Sequence, residues 1–319
     1  MNKGCLIFAH DGDVDYGSQA VLAAELAQQH LGVPVSLAAD AKTITNVNKN
    51  FTQLPFDHVI EIARPKVNNK RFLVNHDVVD ANLAIVRLKS MIESADIKQI
   101  KTLEKFVNLP PEKETVDFIN DSRVLAYDIT PYDRTLLIDA DFLIFSNQLN
   151  KYWDLPYDFL ISPGMLELQQ NSMAPCDYEL NPYSIRQLWA TTVMFTKSEE
   201  TRIFFNLLQH VRDEYKYYSH LYDFDQRQYR NDFTFSIACH IMGHHGAAPW
   251  HGELPVPLMF TDADSIIDIK PTGEITFVIS DLVRPHDYLL AKTQGQDVHV
   301  MNKRDILQHL DQLRELARG

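Results

Sequence analysis

Two carboxylates one residue apart, Asp139 and Asp141, stand behind the apolar run Thr135–Ile138 and ahead of a second one, Phe142–Phe145. Side chains of an extended chain repeat every two residues, so both carboxylates fall on one side and can share a cation. Two hard oxygen ligands with positions left for phosphate oxygens suit Mg²⁺ or Mn²⁺, which usually bind through one or two carboxylates plus a substrate diphosphate. A polar turn at a strand end is the plainer reading of an isolated Asp-x-Asp. Against it stand the flanks Leu136-Leu137-Ile138 and Phe142-Leu143-Ile144, because two carboxylates between apolar walls are costly without a cation.

A strand ending in Asp-x-Asp also opens phosphatase chemistry of the haloacid dehalogenase type, with the first Asp as nucleophile. That pattern sits near the start of its domain with a Gly-Thr pair close behind, whereas here it lies at 139 and continues Phe142-Leu143-Ile144. Further along, His299 belongs to the alternating segment Asp297–Val300 and precedes Lys303. A lone strand histidine serves as a surface or hydrogen-bonded core residue as readily as a ligand, but neutral imidazole is a good third ligand for Mn²⁺. Lys303 then either opposes a phosphate as a point charge or solvates the start of a closing helix. Asn231 and Asp232 open the periodic run Phe233, Ile237, Ile241, so Asp232 is either a helix cap or a carboxylate kept ionised at a helix N-terminus.

Four histidines, His240, His244, His245 and His251, invite a zinc reading, since His240 and His244 share a helical face. No Glu lies between them and no cysteine pair is at hand, which disfavours zinc. The stretch His244–Gly252, with Trp250 inside, reads better as a loop over a sugar or acceptor pocket. Aromatics crowd 215–229, and the local acids Asp213, Glu214, Asp223 and Asp225 cancel the interleaved Lys216, Arg227 and Arg230. That disfavours a nucleic-acid stacking platform; a helix end packed on the core is the plainer reading, and an acceptor-recognition surface lies between the two.

These residues need elements to carry them. Gly4–Ala9, a turn-rich loop at 10–17, helically spaced Ala20, Ala24, Ala27 and Leu31, and then Val33–Ala38 make a βαβ unit, which opens a parallel sheet with a crevice at the carboxyl ends of its strands. The pattern predicts further strands at Asp57–Ile62, Thr135–Ile138, Leu188–Thr196 and Glu274–Ile279. It predicts helices over 77–95, Glu199–Tyr218, Asn231–Met242 and Asn302–Ala317, and over 96–116 a helix followed by a surface crossing through Pro110-Pro111. Glycine is scarce and no linker or repeat interrupts the 319 residues, so one compact body is expected.

Acidic residues number 43 against 30 basic, a net charge of −13 that disfavours a general nucleic-acid binder. Three distant cysteines, Cys5, Cys176 and Cys239, argue for a reducing compartment, and the expected location is cytoplasmic. No apolar stretch reaches the length of a membrane span, so no stable membrane insertion is expected.

The segment Ser122–Phe145, SRVLAYDITPYDRTLLIDADFLIF, resembles the central signature of GT-A fold glycosyltransferases, especially the glycogenin-like family eight, in which a Pro-Tyr-Asp-basic turn precedes the strand bearing the metal-binding Asp-x-Asp. AHDGDVDY stands where that family places its nucleotide-binding loop, and LWATTVMFTKSEE, YRNDFTFSIACHIM and HVMNK follow in the family's order. The resemblance implies an α/β fold of GT-A type, a Rossmann-like, mostly parallel mixed sheet flanked by helices. It implies a single domain over 1–319, with a nucleotide-sugar-binding half at 1–150 and an acceptor-binding half at 151–319. Nucleotide-sugar contacts are expected from Ala9, His10, Asp11, Tyr16 stacked on uracil, Arg123, Asp139, Ala140, Asp141, Thr191 and Lys303. Metal ligands are expected at Asp139, Asp141 and His299 for Mn²⁺ or Mg²⁺, and the carboxylate beside the anomeric carbon at Asp232. Departures lie at Trp189–Thr192, where the family has Asn-Ala-Gly, at Asn231-Asp232 in place of Asp-Gln, and in the short spacing from His299 to Lys303.

The expected function is metal-dependent sugar transfer from a nucleotide diphosphate sugar, a UDP-sugar first among them, to an acceptor the sequence does not name: a glycan, a small molecule, a protein or a nucleic acid. The alternatives are a catalytically silent sugar-nucleotide or glycan-binding protein of the same fold, and a transferase acting on modified nucleic-acid bases.

Overall fold

The computed structural model describes residues 1–64, 69–74, 113–119, 121–167, 180, 185–224, 229–244, 249–261, 264–280 and 288–318. The expected helix over 77–95, the stretch 96–112 with its proline pair, Cys176 and His245 lie outside them. In chain order the strands are β1 (Lys3–Ala9), β2 (Val35–Ala39), β3 (His58–Glu61), β4 (Asn69–Val74), β5 (Lys113–Phe118), β6 (Arg134–Ile138), β7 (Phe142–Leu143), β8 (Phe159–Ser162), β9 (Leu166–Glu167), β10 (Trp189–Thr196), β11 (Gly252–Glu253), β12 (Leu258–Phe260), β13 (Ser265–Ile269), β14 (Glu274–Ser280), β15 (Tyr288–Gln294) and β16 (Val298–Val300).

Seven of these strands form the central sheet, in the order β11-β8-β10-β6-β1-β2-β3. β1 runs parallel to β2 and β6, and β10 alone is reversed, antiparallel to both β6 and β8. Strands buried on both faces need cover on both sides, and the alternation of β1 and β6 divides that cover. Cys5, Ile7, Leu136 and Ile138 pack with the alanines of helix α1 (Tyr16–Leu31). Leu6 and Leu137 face the other way, onto Phe204, Phe205 and Phe235 of the helices Glu199–Asp213 and Asn231–Met242. Helix α1 starts where the Asp15 side chain accepts from Ser18 N, and ends at Gly32, whose φ of 65° is the left-handed cap glycine supplies at no steric cost.

The turn ahead of β6 is pinned to the start of β1. Asn2 N–H donates to Asp133 Oδ2 at 2.8 Å, the Tyr132 hydroxyl meets Ser36 Oγ at 2.7 Å, and the Tyr132 ring lies over Gly4, where a Cβ would come within 2.3 Å of it. This sets how far β6 projects at its carboxyl end. A second sheet, β7-β16-β12-β9, follows directly from the Asp-x-Asp turn. β16 pairs antiparallel with β7, placing His299 opposite Phe142.

Several elements depart from the expected pattern. The helix expected over Glu199–Tyr218 breaks at Glu214, whose φ and ψ of −100° and 27° leave the helical region, giving Glu199–Asp213 and Tyr215–Leu221. The closing helix breaks likewise at His309 into Lys303–Gln308 and Leu310–Arg318. Residues 113–116, expected as a surface crossing, belong to β5, paired antiparallel with β4. Helix α2 (Ala41–Asn50), unread in the sequence, begins where the Asp40 side chain accepts from Thr43 N. Among the described residues no helix is long and apolar enough to cross a membrane.

Candidate active site

A cleft of about 240 Å³ opens at the carboxyl ends of β1 and β6. After β6 the chain turns sharply: Asp139 N–H donates to Thr191 O on β10, and Phe142 N–H to Asp139 O. The strand therefore ends with its carboxylates facing the cleft. Val300 N–H then donates to Asp141 O at 3.0 Å, so backbone pairing brings β16 and His299 beside a turn 158 residues earlier in the chain.

The ligand atoms of Asp139, Asp141 and His299 lie within 4.8 Å of one another. His299 Nε2 sits 3.3 Å from Asp141 Oδ1, while Nδ1 meets Thr191 Oγ1 at 3.3 Å. Thr191 thereby orients the ring, as partners on the outer nitrogen of metal-bound imidazoles do. Each carboxylate also faces a cation: Arg123 Nη1 at 2.6 Å from Asp139 Oδ1, and Lys303 Nζ at 2.5 Å from Asp141 Oδ2. Burial pushes the Asp139 carboxyl up against the pull of Arg123. At Asp141 burial also pushes up, but Lys303 and His299 outweigh it and hold the group well below the carboxylate range. Two carboxylates and an imidazole are a fitting donor set for Mn²⁺ or Mg²⁺. Arg123 is itself buried, with Nε and Nη2 lacking partners among the described residues. A buried guanidinium with open donors matches an anionic ligand.

Toward β1 the cleft is lined by Ala9, His10, Tyr16 and Ser122. Asp11, expected as a nucleotide contact, sits beside this lining and not within it. It does not line the cleft, because its carboxylate accepts from Gly17 N and Asn46 Nδ2, both at 2.8 Å, and so ties the loop at 10–17 to α2.

Toward β10 the cleft is lined by Trp189, Thr191, Arg230 and Asp232. Asp232 is no helix cap: Arg230 holds the N-cap position, and the Asp232 carboxylate accepts from Ala190 N at 2.9 Å and from Arg230 Nη2 at 3.0 Å. Trp250 does not reach the cleft. Its ring stacks on Phe159 and Phe204 and its Nε1–H donates to Glu200, so the sequence stretch at 244–252 supplies a core plug rather than a sugar platform through this residue. Of the aromatics over 215–229, Tyr218 and Tyr222 pack in an apolar cluster with Ile237 and Tyr229 lines the cleft. Among the described residues, Asp139, Asp141 and His299 form the one cluster that could hold a metal, and it excludes His240 and His251.

Ser122, Trp189 and Arg230 were not read from the sequence as site residues in their own right. Ser122 adjoins Arg123 and Arg230 lies two positions from Asp232, both of which were, and that proximity was the available signal.

No family model matches the chain, and no curated protein matches it. Solved structures similar to it include the glycosyltransferase GlyE of Streptococcus pneumoniae TIGR4, at 8% identity and a TM-score of 0.40 over 80% of this chain. They also include an active-site mutant of LgtC, at 14% identity and a TM-score of 0.41 over 73% of this chain and 69% of that one. A third is galactosyltransferase LgtC in complex with donor and acceptor sugar analogues, at 13% identity and a TM-score of 0.38 over 72% and 68%. The chain spans 45% of the GlyE chain, less than half of its length.

Proposed function

We propose that the protein is a metal-dependent glycosyltransferase of GT-A type, acting on a nucleotide diphosphate sugar, with UDP-sugars first among them. One observation carries the reading: Asp139, Asp141 and His299 converge at a strand end in a cleft that also holds Lys303 and the open donors of Arg123. Mn²⁺ or Mg²⁺ held by the three ligands would supply Lewis-acid stabilisation of the leaving diphosphate. Lys303 is placed to turn its ammonium from Asp141 to a phosphate oxygen, and Arg123 to offer Nε and Nη2 to the same charge. Asp232, in the first turn of its helix, serves as base toward the acceptor hydroxyl in an inverting reaction or steadies the oxocarbenium-like centre in a retaining one.

The order of strands supports a division of the remaining roles. β6 carries the carboxylates, β1 lies on one side of it and β10 on the other. The nucleoside is then held on the β1 side by Ala9, His10 and Tyr16, and the sugar on the β10 side by Thr191 and Asp232. We take 1–319 as a single domain in which 1–150 carries the nucleotide half and 151–319 the acceptor half, the latter returning His299 and Lys303 to the metal. Buried free thiols at Cys5 and Cys239 fit a cytoplasmic location.

A silent sugar-nucleotide binder is the second reading, favoured by the two partners that already engage the Asp232 carboxylate. Incubation with UDP-sugars and Mn²⁺ separates the two. Slow donor hydrolysis that stops on chelation is expected of the transferase, and tight donor binding with an intact donor after prolonged incubation would replace it with the binder.

A further inference from the structure

Two polar side chains on the β10 side of the cleft have hydrogen-bonding capacity that the metal and the diphosphate do not use. Trp189 is 5% exposed, and its Nε1–H has no partner among the described residues. The Arg230 side chain is 41% exposed, and among the described residues its guanidinium donates only from Nη2, to Asp232 Oδ2 at 3.0 Å. Both residues line the cleft.

The neighbours of Arg230 leave its edges open. Its guanidinium carbon lies 6.0 Å from the centre of the Trp189 ring and 5.0 Å from that of Phe233. Aromatic faces hold a guanidinium by cation–π attraction and shield its flat sides, which turns its hydrogen-bonding toward the edges. A guanidinium carries a fork of donors and no acceptor, so Nη1 and Nε remain after Nη2 is spent on Asp232. The other Asp232 oxygen already accepts from Ala190 N. What this side of the cleft lacks is therefore acceptor atoms: the open groups of Trp189 and Arg230 are donors, and one of the two carries charge. A buried donor without a partner calls for an acceptor on the ligand. A guanidinium edge matches the paired oxygens of a carboxylate or a phosphate.

We infer that the acceptor is an anionic sugar, a uronate or a sugar phosphate, whose charged group is held between Arg230 and Trp189. The inference rests on the nucleotide-sugar reading above and extends it to the acceptor class. Position favours the acceptor over the donor. Arg123 and Lys303 stand at the carboxylates, where a diphosphate takes their charge, whereas Arg230 reaches into solvent on the β10 side, where the second substrate enters. With Nη2 kept on Asp232 and the remaining donors on the anion, Arg230 holds the acceptor close to that carboxylate. The whole chain carries −13, a field that repels anions, so the affinity comes from this local contact and not from general attraction.

Calorimetry on the whole chain saturated with Mn²⁺ and UDP tests this, because UDP then fills the metal end and leaves the β10 side to the probe. Glucuronate and glucose-6-phosphate are compared with methyl glucoside. At least one of the anions is expected to bind about tenfold or more tighter than the neutral sugar, the scale of a hydrogen bond to a charged group. Which anion does so distinguishes carboxylate from phosphate. Arg230→Gln keeps a donor for Asp232 and is expected to bring the anion down to the level of the neutral sugar. Trp189→Phe keeps a ring, removes the Nε1–H and is expected to lower anion affinity several-fold. The comparison of probes on the parent protein needs no variant and so survives a variant that fails to fold. Equal affinity for neutral and anionic sugars, or a preference that Arg230→Gln leaves intact, overturns the anionic acceptor while UDP binding stands. A preference for UDP-glucuronate over UDP-glucose that Arg230→Gln removes places the anion on the donor and also overturns it. Failure of UDP itself to bind overturns it together with the nucleotide-sugar reading.

Discussion

On the β1 side of the site, His10, Asp40, Arg64 and Ser122 form a chain whose links are all made inside the protein. On the β10 side, the buried Trp189 Nε1–H has no partner among the described residues, and the Arg230 side chain, paired to Asp232, is 41% exposed. Polar groups that find their partners within the fold hold a fixed pattern at no further cost, which suits recognition of an invariant part of a ligand. Groups left open or half-solvated are stabilised only when something binds, which suits a changing partner. The carboxylates of β6 lie between the two. Their cations, Arg123 and Lys303, stand where a metal would take over, so Mn²⁺ without a diphosphate leaves two buried cations unpaired. Metal and diphosphate should therefore bind far better together than apart.

The largest effect expected breaks the middle of this arrangement. Asp139→Ala and Asp141→Ala should each lower Mn²⁺-assisted UDP affinity by at least about 100-fold, beyond the 10-fold to 100-fold typical of an outer-shell change. The two should differ in stability. The Asp139 side chain is 31% exposed and Asp141 only 7%, and Lys303, its partner, is 3% exposed. Removing Asp141 strands a buried ammonium, a class of change that costs about 3–5 kcal/mol, whereas solvent already reaches the Asp139 carboxylate and can take its place beside Arg123, although Arg123 is itself only 5% exposed. Thermal melts should show a large drop for Asp141→Ala that Lys303→Met added to it relieves, with no return of UDP affinity. Equal melts for the two single variants would contradict the contrast between the pairs.

The second expectation sharpens the difference between the sides. If β10 carries the reacting end, Asp232→Asn should leave UDP affinity and melting temperature near the parent values while donor hydrolysis falls at least about 100-fold, the scale of losing an acid–base or charge-stabilising group. The amide oxygen still accepts from Ala190 N, so the variant removes charge and keeps the tether. Turnover near the parent rate would make Asp232 a strut between β10 and its helix.

How much of this could be read from the chain follows from distance along it. The Asp-x-Asp pair is legible from its place behind an apolar strand, although a turn after β6 rather than a two-residue strand repeat sets the carboxylates side by side, and the helix Asn231–Met242 has the bounds its periodicity predicts. His299 and Lys303 were within reach through the order of motifs. The partners of Asp11, Gly17 and Asn46, were not legible, because they are set by where α2 packs, and only Thr43 and Val47 of α2 are buried. The Ser122–His10–Asp40 chain joins residues 112 and 30 positions apart. No local pattern encodes that junction. It arises when the loops after β1 and β2 and the turn at Asp121–Leu125 meet at one edge of the cleft.

The smallest effect concerns two buried acids that answer to pH in opposite directions. Asp40 accepts from Thr43, His10 and Arg64 and is held below its ordinary value. It therefore contributes stability above the unfolded carboxylate range, and that stability is lost as pH falls. Asp305, in the helix that carries Lys303, has Ile266 N–H at 2.5 Å and no ion pair among the described residues, and burial, with Asp264 adding to it, lifts it from 3.8 to about 7. Its folded form prefers the proton, so its contribution is greatest below the unfolded value near 3.8 and is lost as pH rises through the window up to about 7. Asp305→Asn removes that titration and keeps an oxygen for Ile266 N–H. Urea midpoints from pH 5 to pH 8 should decline in the parent and stay flatter in the variant, by roughly 1–3 kcal/mol across the window. Parallel pH profiles for the two proteins would mean that Asp305 is solvated or neutralised in the folded chain, and that the helix bearing Lys303 rests on other contacts.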